Sequence, residues 1–360
     1  MKKEFKLSKA EIMERLGKLE KKIRATKRRK SFIKTGLLII IPASLGGLIF
    51  GFSMSENIEQ AFRIFLFSGI VAGIMFFLAG FEKIISHYRL RRLPFLWHLF
   101  IKVLMHTILL STVFIAFYYF QYGDFLLTRA HGTLFLKLLL LSSILGIIIN
   151  LILISNRMIG KGVLLKYLTG RYHTPIEEER IFMFIDIKSS TTIAEKIGHR
   201  KFHSLLNDFF YDITDPILEN DGEIYKYVGD EVIVTWPLKK GIKNNNCVRA
   251  FFEVKKKIEE KKDRYLKDYG LVPEFKAGLH CGTIIVGEMG DIKSEIAYLG
   301  DVVNTTARIQ TQCHVHDADL LTSSVMIEKM EEPLFFGYSE LGEIQLRGKK
   351  LSTMLVKIEM

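Results

Sequence analysis

The sequence predicts two structural classes joined end to end: an all-α bundle of four membrane-crossing helices, then one α/β domain. Three observations predict it. Four apolar stretches, at roughly 32–53, 61–81, 99–120 and 134–155, each approach the ~20 residues a helix needs to cross a bilayer. From about residue 178 to the end, short β-rich runs alternate with helix-like ones. Positive charge collects beside the apolar stretches rather than spreading along the chain. At 360 residues and 49% apolar content, the chain has room for a membrane region plus one domain of ordinary size. The expected division is a basic N-terminal helix at 1–31, a four-span region at 32–155, a helical connector at 156–177 and an α/β domain at 178–360.

Residues 1–30 hold thirteen Lys or Arg against four Glu, within a formal charge of +12. Such a tail suits nucleic acid or an anionic bilayer surface. Because it runs straight into an apolar segment, the expected partner is the lipid bilayer, and nucleic acid is excluded. Ile12, Leu16, Leu19 and Ile23 recur at steps of four, three and four, which fits a short parallel coil or a helix lying on the membrane. The first apolar run is too long, and lacks the small-residue cleavage site, to be a removed signal. Loops fix the orientation. The first holds Glu56 and Glu59 with no Lys or Arg, the second Lys83, Arg89, Arg91 and Arg92, the third only Asp124 and Arg129. Both termini are therefore expected in the cytoplasm, at a cell (inner) membrane. His106 and Asn150 lie within spans, where interhelical hydrogen bonding is the plain reading. No residue there identifies a ligand for the membrane region.

In the connector, Met158, Leu164, Leu165 and Leu168 predict a helix that ends by Gly170 or Pro175. It is expected to transmit motion from bundle to domain. The α/β domain begins with an apolar strand at Arg180–Ile187, followed by helices over Ser189–Gly198 and Phe202–Glu219. Glu223–Val228 and Glu231–Trp236 read as a hairpin across Gly229-Asp230. One long helix is expected through Lys267, then a hairpin near Phe275–Glu288, a strand at Ile296–Leu299 and a helix from Asp301. That order predicts a ferredoxin-like, βαββαβ-type sandwich with additions. Cys247, Cys281 and Cys313 have no metal-ligand spacing, and a reducing, cytosolic side is consistent with them. Cys313-His314-Val315-His316-Asp317 has metal-binding residue types, but no second cluster completes it.

Three strings carry the chemistry. Phe184-Ile185-Asp186-Ile187-Lys188-Ser189-Ser190-Thr191 puts a carboxylate at a strand end, where α/β folds expose reactive groups. Lys226-Tyr227-Val228-Gly229-Asp230-Glu231 puts another in a tight turn. Gly300-Asp301-Val302-Val303-Asn304-Thr305-Thr306-Ala307-Arg308 puts an amide and a guanidinium at i and i+4, on one helix face. Singly, Asp186 reads as a helix cap and Asp230 as turn chemistry. Together, carboxylates for divalent cations and a cationic clamp suit phosphoryl chemistry on a nucleotide.

In this order the strings resemble the catalytic domain of the class III adenylate cyclases, over about residues 165–358. The resemblance implies a phosphorus-oxygen lyase that turns ATP into 3′,5′-cyclic AMP and pyrophosphate. It implies two Mg²⁺ or Mn²⁺ ions per site, held by Asp186, Asp230 and the Ile187 carbonyl. Asn304 would orient the ribose, Arg308 would stabilise charge on the α-phosphate, and Lys226 would donate to adenine N1. The opening of the helix at Ser189, Ser190 and Thr191 would cradle phosphate oxygens, and Arg347 would meet the terminal phosphates. Where the family carries a polar base reader, seven residues before Asn304, this chain has Ala297. A missing hydrogen-bond partner costs on the order of 1–3 kcal/mol, enough to relax base selectivity without reversing the lysine's preference. The family shares each site between two chains, so a homodimer is expected. Two alternatives stay open: a guanylate or mixed-purine cyclase, and a catalytically silent, membrane-anchored dimerisation module. A diguanylate cyclase fits poorly, because Val228 and Val232 stand where its Gly and Phe would be.

Overall fold

The computed structural model describes residues 170–292, 294–345 and 352–360, together with scattered positions between 41 and 151. The chain divides into two compact units, Met1–Ile154 and Ser155–Met360. The basic N-terminal helix, the connector helix, most of each expected membrane crossing, and Arg347 fall outside the described residues.

In the first unit, every described residue from 41 to 151 is helical. No helix among the described residues is long and apolar enough to cross a membrane. Leu136, Leu140, Ile144, Ile147 and Leu151 recur at helical steps and are all exposed. The Thr107 and Ser143 hydroxyls, from the third and fourth apolar stretches, lie 3.2 Å apart.

The second unit is a mixed α/β fold built on an eight-stranded sheet. It opens with β1 (Ile176–Ile187), α1 (Ser190–Ile197) and α2 (His199–Glu219), then the hairpin of β2 (Glu223–Val228) and β3 (Glu231–Pro237). Three helices follow, α3 (Leu238–Ile242), α4 (Asn246–Glu260) and α5 (Lys262–Tyr269), then β4 (Phe275–Met289) and β5 (Glu295–Leu299). The chain ends with α6 (Asp301–Val315), β6 (Leu320–Ser323), α7 (Ser324–Glu328), β7 (Gly337–Ile344) and β8 (Thr353–Glu359). The first four strands lie in the order β2-β3-β1-β4, each antiparallel to its neighbour, which is the expected βαββαβ core. Beyond β4, β6 adds in parallel, then β8 and β7.

β1 reads as unbroken apolar sequence because both faces of the sheet are covered. Ile181, Met183, Ile185 and Ile187 enter the main core with Phe209 and Ile213 of α2 and Val254 of α4. Phe182 and Phe184 point the other way, into a smaller cluster with Val302 of α6, on the side where Tyr298 of β5 packs. Burying each such side chain contributes about 1.5–3 kcal/mol. Asp186 is in step with Phe182 and Phe184, so it stands on the α6 side.

Three expectations are corrected. β1 begins at Ile176, inside the stretch read as connector. The long helix is broken, because Asn244 and Asn245 take left-handed φ of 53° and 55° ahead of α4, and a second break falls at Lys261. The hairpin near 275–288 is instead one fifteen-residue strand, β4, which pairs with β5. Its glycines mark close approaches rather than turns: a Cβ at Gly278 would lie 2.4 Å from the Gln310 backbone nitrogen, and one at Gly282 would lie 2.7 Å from Val302.

Candidate active site

Asp186, near the end of β1, is flanked in register by Lys276 of β4 and Glu231 of β3. The three side chains form a lateral row on the α6 face of the sheet. The Gln310 amide donates to Asp186 Oδ2 at 2.9 Å, and Lys276 Nζ is 3.6 Å from the same oxygen. Asp230 follows Gly229, whose φ of 62° closes the two-residue β2–β3 turn, and its carboxyl lies near that of Asp186. Burial, then the neighbouring Asp230 carboxyl, push the Asp186 carboxyl above its usual range. Burial, then Asp186 and Asp230, push Glu231 up to about 7. Three acids facing one ammonium form an electronegative spot, whose mutual repulsion a cation relieves.

The helix-cap reading of Asp186 falls away. α1 is capped by Ser189 in a left-handed conformation, φ 54°, with Ser190 as its first residue. Lys188 Nζ is held by Asp319 at 2.7 Å, and the Lys188 amide donates to the Glu274 carbonyl, so the turn between β1 and α1 is anchored at Lys188 through both side chain and backbone. Ile187 is buried against the main core.

α6 lies flat on β4, with Val302, Thr305, Thr306, Ile309, Gln310 and Cys313 buried beneath it. Asn304 is exposed and Arg308 half-buried on the opposite stripe. The structure therefore brings Asp186, Asp230 and Glu231 together and turns Asn304 and Arg308 outward on the neighbouring helix. Lys226, on β2, pairs in register with Ile233, and its Nζ lies 3.2 Å from Glu295 of β5. Ala297 is 7% exposed and pairs with Gly287. Cys313 donates to the Ala277 carbonyl from within α6, which makes it a core thiol. Among the described residues, no three His, Cys, Asp or Glu side chains form a ready metal cage. Two carboxylates with the remaining ligands taken from phosphates and water is the ordinary way of holding Mg²⁺.

Sequence reading missed Glu231, Lys276, Gln310 and Glu295. Glu231 adjoins Asp230 and Gln310 follows Arg308 by two residues, so both were within reach of a longer motif. Lys276 arrives only through strand register, and Glu295 only because β5 lies over β2 without pairing with it, so nothing local marks either.

The family model for the adenylate and guanylate cyclase catalytic domain matches residues 174–358. Adenylate cyclase 2 of Rhizobium meliloti (strain 1021) is 39% identical over 201 residues, covering 55% of this chain and 55% of that protein. Adenylate cyclase 1 of the same strain is 24% identical over 211 residues, covering 57% of this chain and 31% of its own length. The chain thus spans about half, or less, of these relatives. A solved bacterial light-regulated adenylyl cyclase superposes with a TM-score of 0.53 at 20% identity, covering 61% of this chain and 64% of that one, a likeness of fold.

Proposed function

This chain belongs to the adenylate and guanylate cyclase catalytic domain family, and from that premise we propose that it converts ATP into 3′,5′-cyclic AMP and pyrophosphate. One observation carries the reading. The Asp186–Asp230 carboxylate pair stands on the sheet while α6 turns an amide and a guanidinium outward, the two halves of a phosphoryl-transfer site for a second copy to bring together. The name of the 39% identical relative supports ATP as the nucleotide.

The acids fit divalent cations, since Asp186 and Asp230 crowd negative charge that, among the described residues, Lys276 and the Gln310 amide offset only in part. They would hold Mg²⁺ or Mn²⁺, two per site, with the Ile187 carbonyl as a further ligand. Bound there, the metal ions supply Lewis-acid activation of the ribose 3′-hydroxyl and neutralisation of the triphosphate. The ribose 3′-hydroxyl gives its proton to water as its oxygen attacks the α-phosphorus, the bond to the β-phosphate oxygen breaks, and pyrophosphate leaves. Asn304 orients the ribose. Arg308 meets the charge that develops on the α-phosphate, where a preorganised donor is most effective. Lys226 donates to adenine N1, the amides at Ser189, Ser190 and Thr191 hold phosphate oxygens, and Arg347 meets the terminal phosphates.

Asn304 and Arg308 point outward, which supports a homodimer in which each copy completes its partner's site. A bilayer partner is supported by the exposed apolar stripe from Leu136 to Leu151, which water would leave uncompensated. Both termini are then cytoplasmic, at a cell membrane.

Purified full-length protein with Mn²⁺ and either ATP or GTP tests the reading, beside Asp186→Asn. Asparagine keeps the size and can still accept the Gln310 hydrogen bond, so the variant removes charge rather than fold. Cyclic AMP from ATP, lost in the variant, is the expected outcome. Comparable product from GTP favours a mixed-purine enzyme, the reading that the apolar, buried Ala297 leaves room for. No product from either nucleotide contradicts the enzyme.

A further inference from the structure

We infer that Glu295 determines base specificity, by accepting a hydrogen bond from the 6-amino group of adenine in place of the polar side chain that position 297 lacks. The inference rests on the cyclase reading above and names how that site recognises its base. Glu295 and Ala297 are two apart on β5 and so share a strand face. The Ala297 methyl can accept nothing. The Glu295 carboxylate instead sits on Lys226, its two oxygens 3.2 and 3.4 Å from Nζ.

The pairing joins strands far apart in sequence, and half-buried ring contacts over a buried guanidinium fix it. The rings of Tyr225 and Tyr298, neighbours of Lys226 and Ala297, meet edge-on at 4.6 Å. Beneath them the buried Arg180 guanidinium lies 4.9 Å from the Tyr298 ring and donates to Thr235 of β3 and Glu223 of β2. Lys226 and Glu295 are each about half exposed, and an exposed ion pair contributes only ~0–1 kcal/mol. The ion pair is therefore weak enough to open for a ligand, while the two strands beneath it stay in place.

The chemistry of the pair matches one edge of one base. Adenine offers an acceptor at N1 beside the donor 6-amino group. A lysine donor beside a carboxylate acceptor complements both at once. Guanine carries a proton on N1, which opposes the ammonium in the same pose. A site that hydrogen-bonds a substrate N–H rejects an analogue without it, because its own polar group is left unpaired.

The test compares ATP with purine riboside 5′-triphosphate, which keeps N1 and lacks the 6-amino group, using full-length protein and Mn²⁺. Glu295→Met keeps the length and removes the acceptor; Glu295→Gln keeps an amide oxygen. We expect Glu295→Met to lower kcat/KM for ATP about tenfold and to leave the analogue within about twofold, with Glu295→Gln recovering part of the ATP loss. Any effect that runs through Lys226 would strike both nucleotides, since both present N1. Equal losses on the two, no loss on ATP, or a larger loss with GTP than with ATP would each overturn the inference. Wild-type protein that forms no cyclic product from any nucleotide would instead overturn the cyclase reading and this inference with it, a result separable from the others before any variant is made.

Discussion

Asp186 illustrates how far single residues were legible in the sequence. Its place at the end of an apolar strand, with Asp230 in a Gly-Asp turn and Asn304 and Arg308 one helical turn apart, is written in short local spacings, and local spacings survive folding. What surrounds it is not local. Lys276 reaches Asp186 through the β1–β4 register, and Gln310 reaches it because α6 turns its buried stripe toward the sheet. On the proposed roles, Arg308 gives a clean test at this scale. It lies on the outward stripe of α6, half-buried, so Arg308→Ala should change stability by no more than about 0.5 kcal/mol. The turnover number should fall about 10²–10³-fold, as when one preorganised donor is lost. Steady-state kinetics beside a thermal melt checks both, and an unchanged kcat would remove Arg308 from the chemistry.

At the scale of elements, the sheet core was legible and its decoration was not. An unbroken apolar run predicted β1, and β-rich runs flanking a Gly-Asp turn predicted the β2–β3 hairpin. In place of the expected hairpin stands the single strand β4, in which Gly278, Gly282 and Gly287 make no turn and each admits a close neighbour: the α6 backbone, Val302 and Pro175 respectively. The long helix failed for the opposite reason, since Asn244 and Asn245 tolerate left-handed φ and break it without a glycine or proline. Gly278 carries a prediction. An added Cβ would meet the Gln310 nitrogen at 2.4 Å and the Thr306 carbonyl oxygen at 2.7 Å, both backbone atoms of α6 that cannot swing aside. Gly278→Ala should therefore lift α6 from the sheet, cost about 1–3 kcal/mol and lower the turnover number by displacing Asn304 and Arg308. Urea unfolding with a steady-state cyclase assay measures both; wild-type stability in this variant would mean that α6 is not seated on Gly278 as described.

For the whole molecule, charge and hydropathy predict a membrane region ahead of an α/β domain; the chain forms two compact units, Met1–Ile154 and Ser155–Met360. The basic flank, the apolar stretches and the outward placement of Asn304 and Arg308 fit one account: a membrane-anchored cyclase in which two copies each supply half of every site. Composition could suggest the anchor but not the sharing, because a shared site is a property of a surface and not of a residue pattern. Co-expression of Asp186→Asn with Arg308→Ala tests that claim most directly, with cyclic AMP formation as the readout. Each variant alone should be inactive, with both of its sites damaged. Random pairing makes half of the dimers mixed, and each mixed dimer has one intact site of two, so activity should return to about a quarter of wild type. A mixture as inactive as its parents, beside an active wild type, would contradict the shared site.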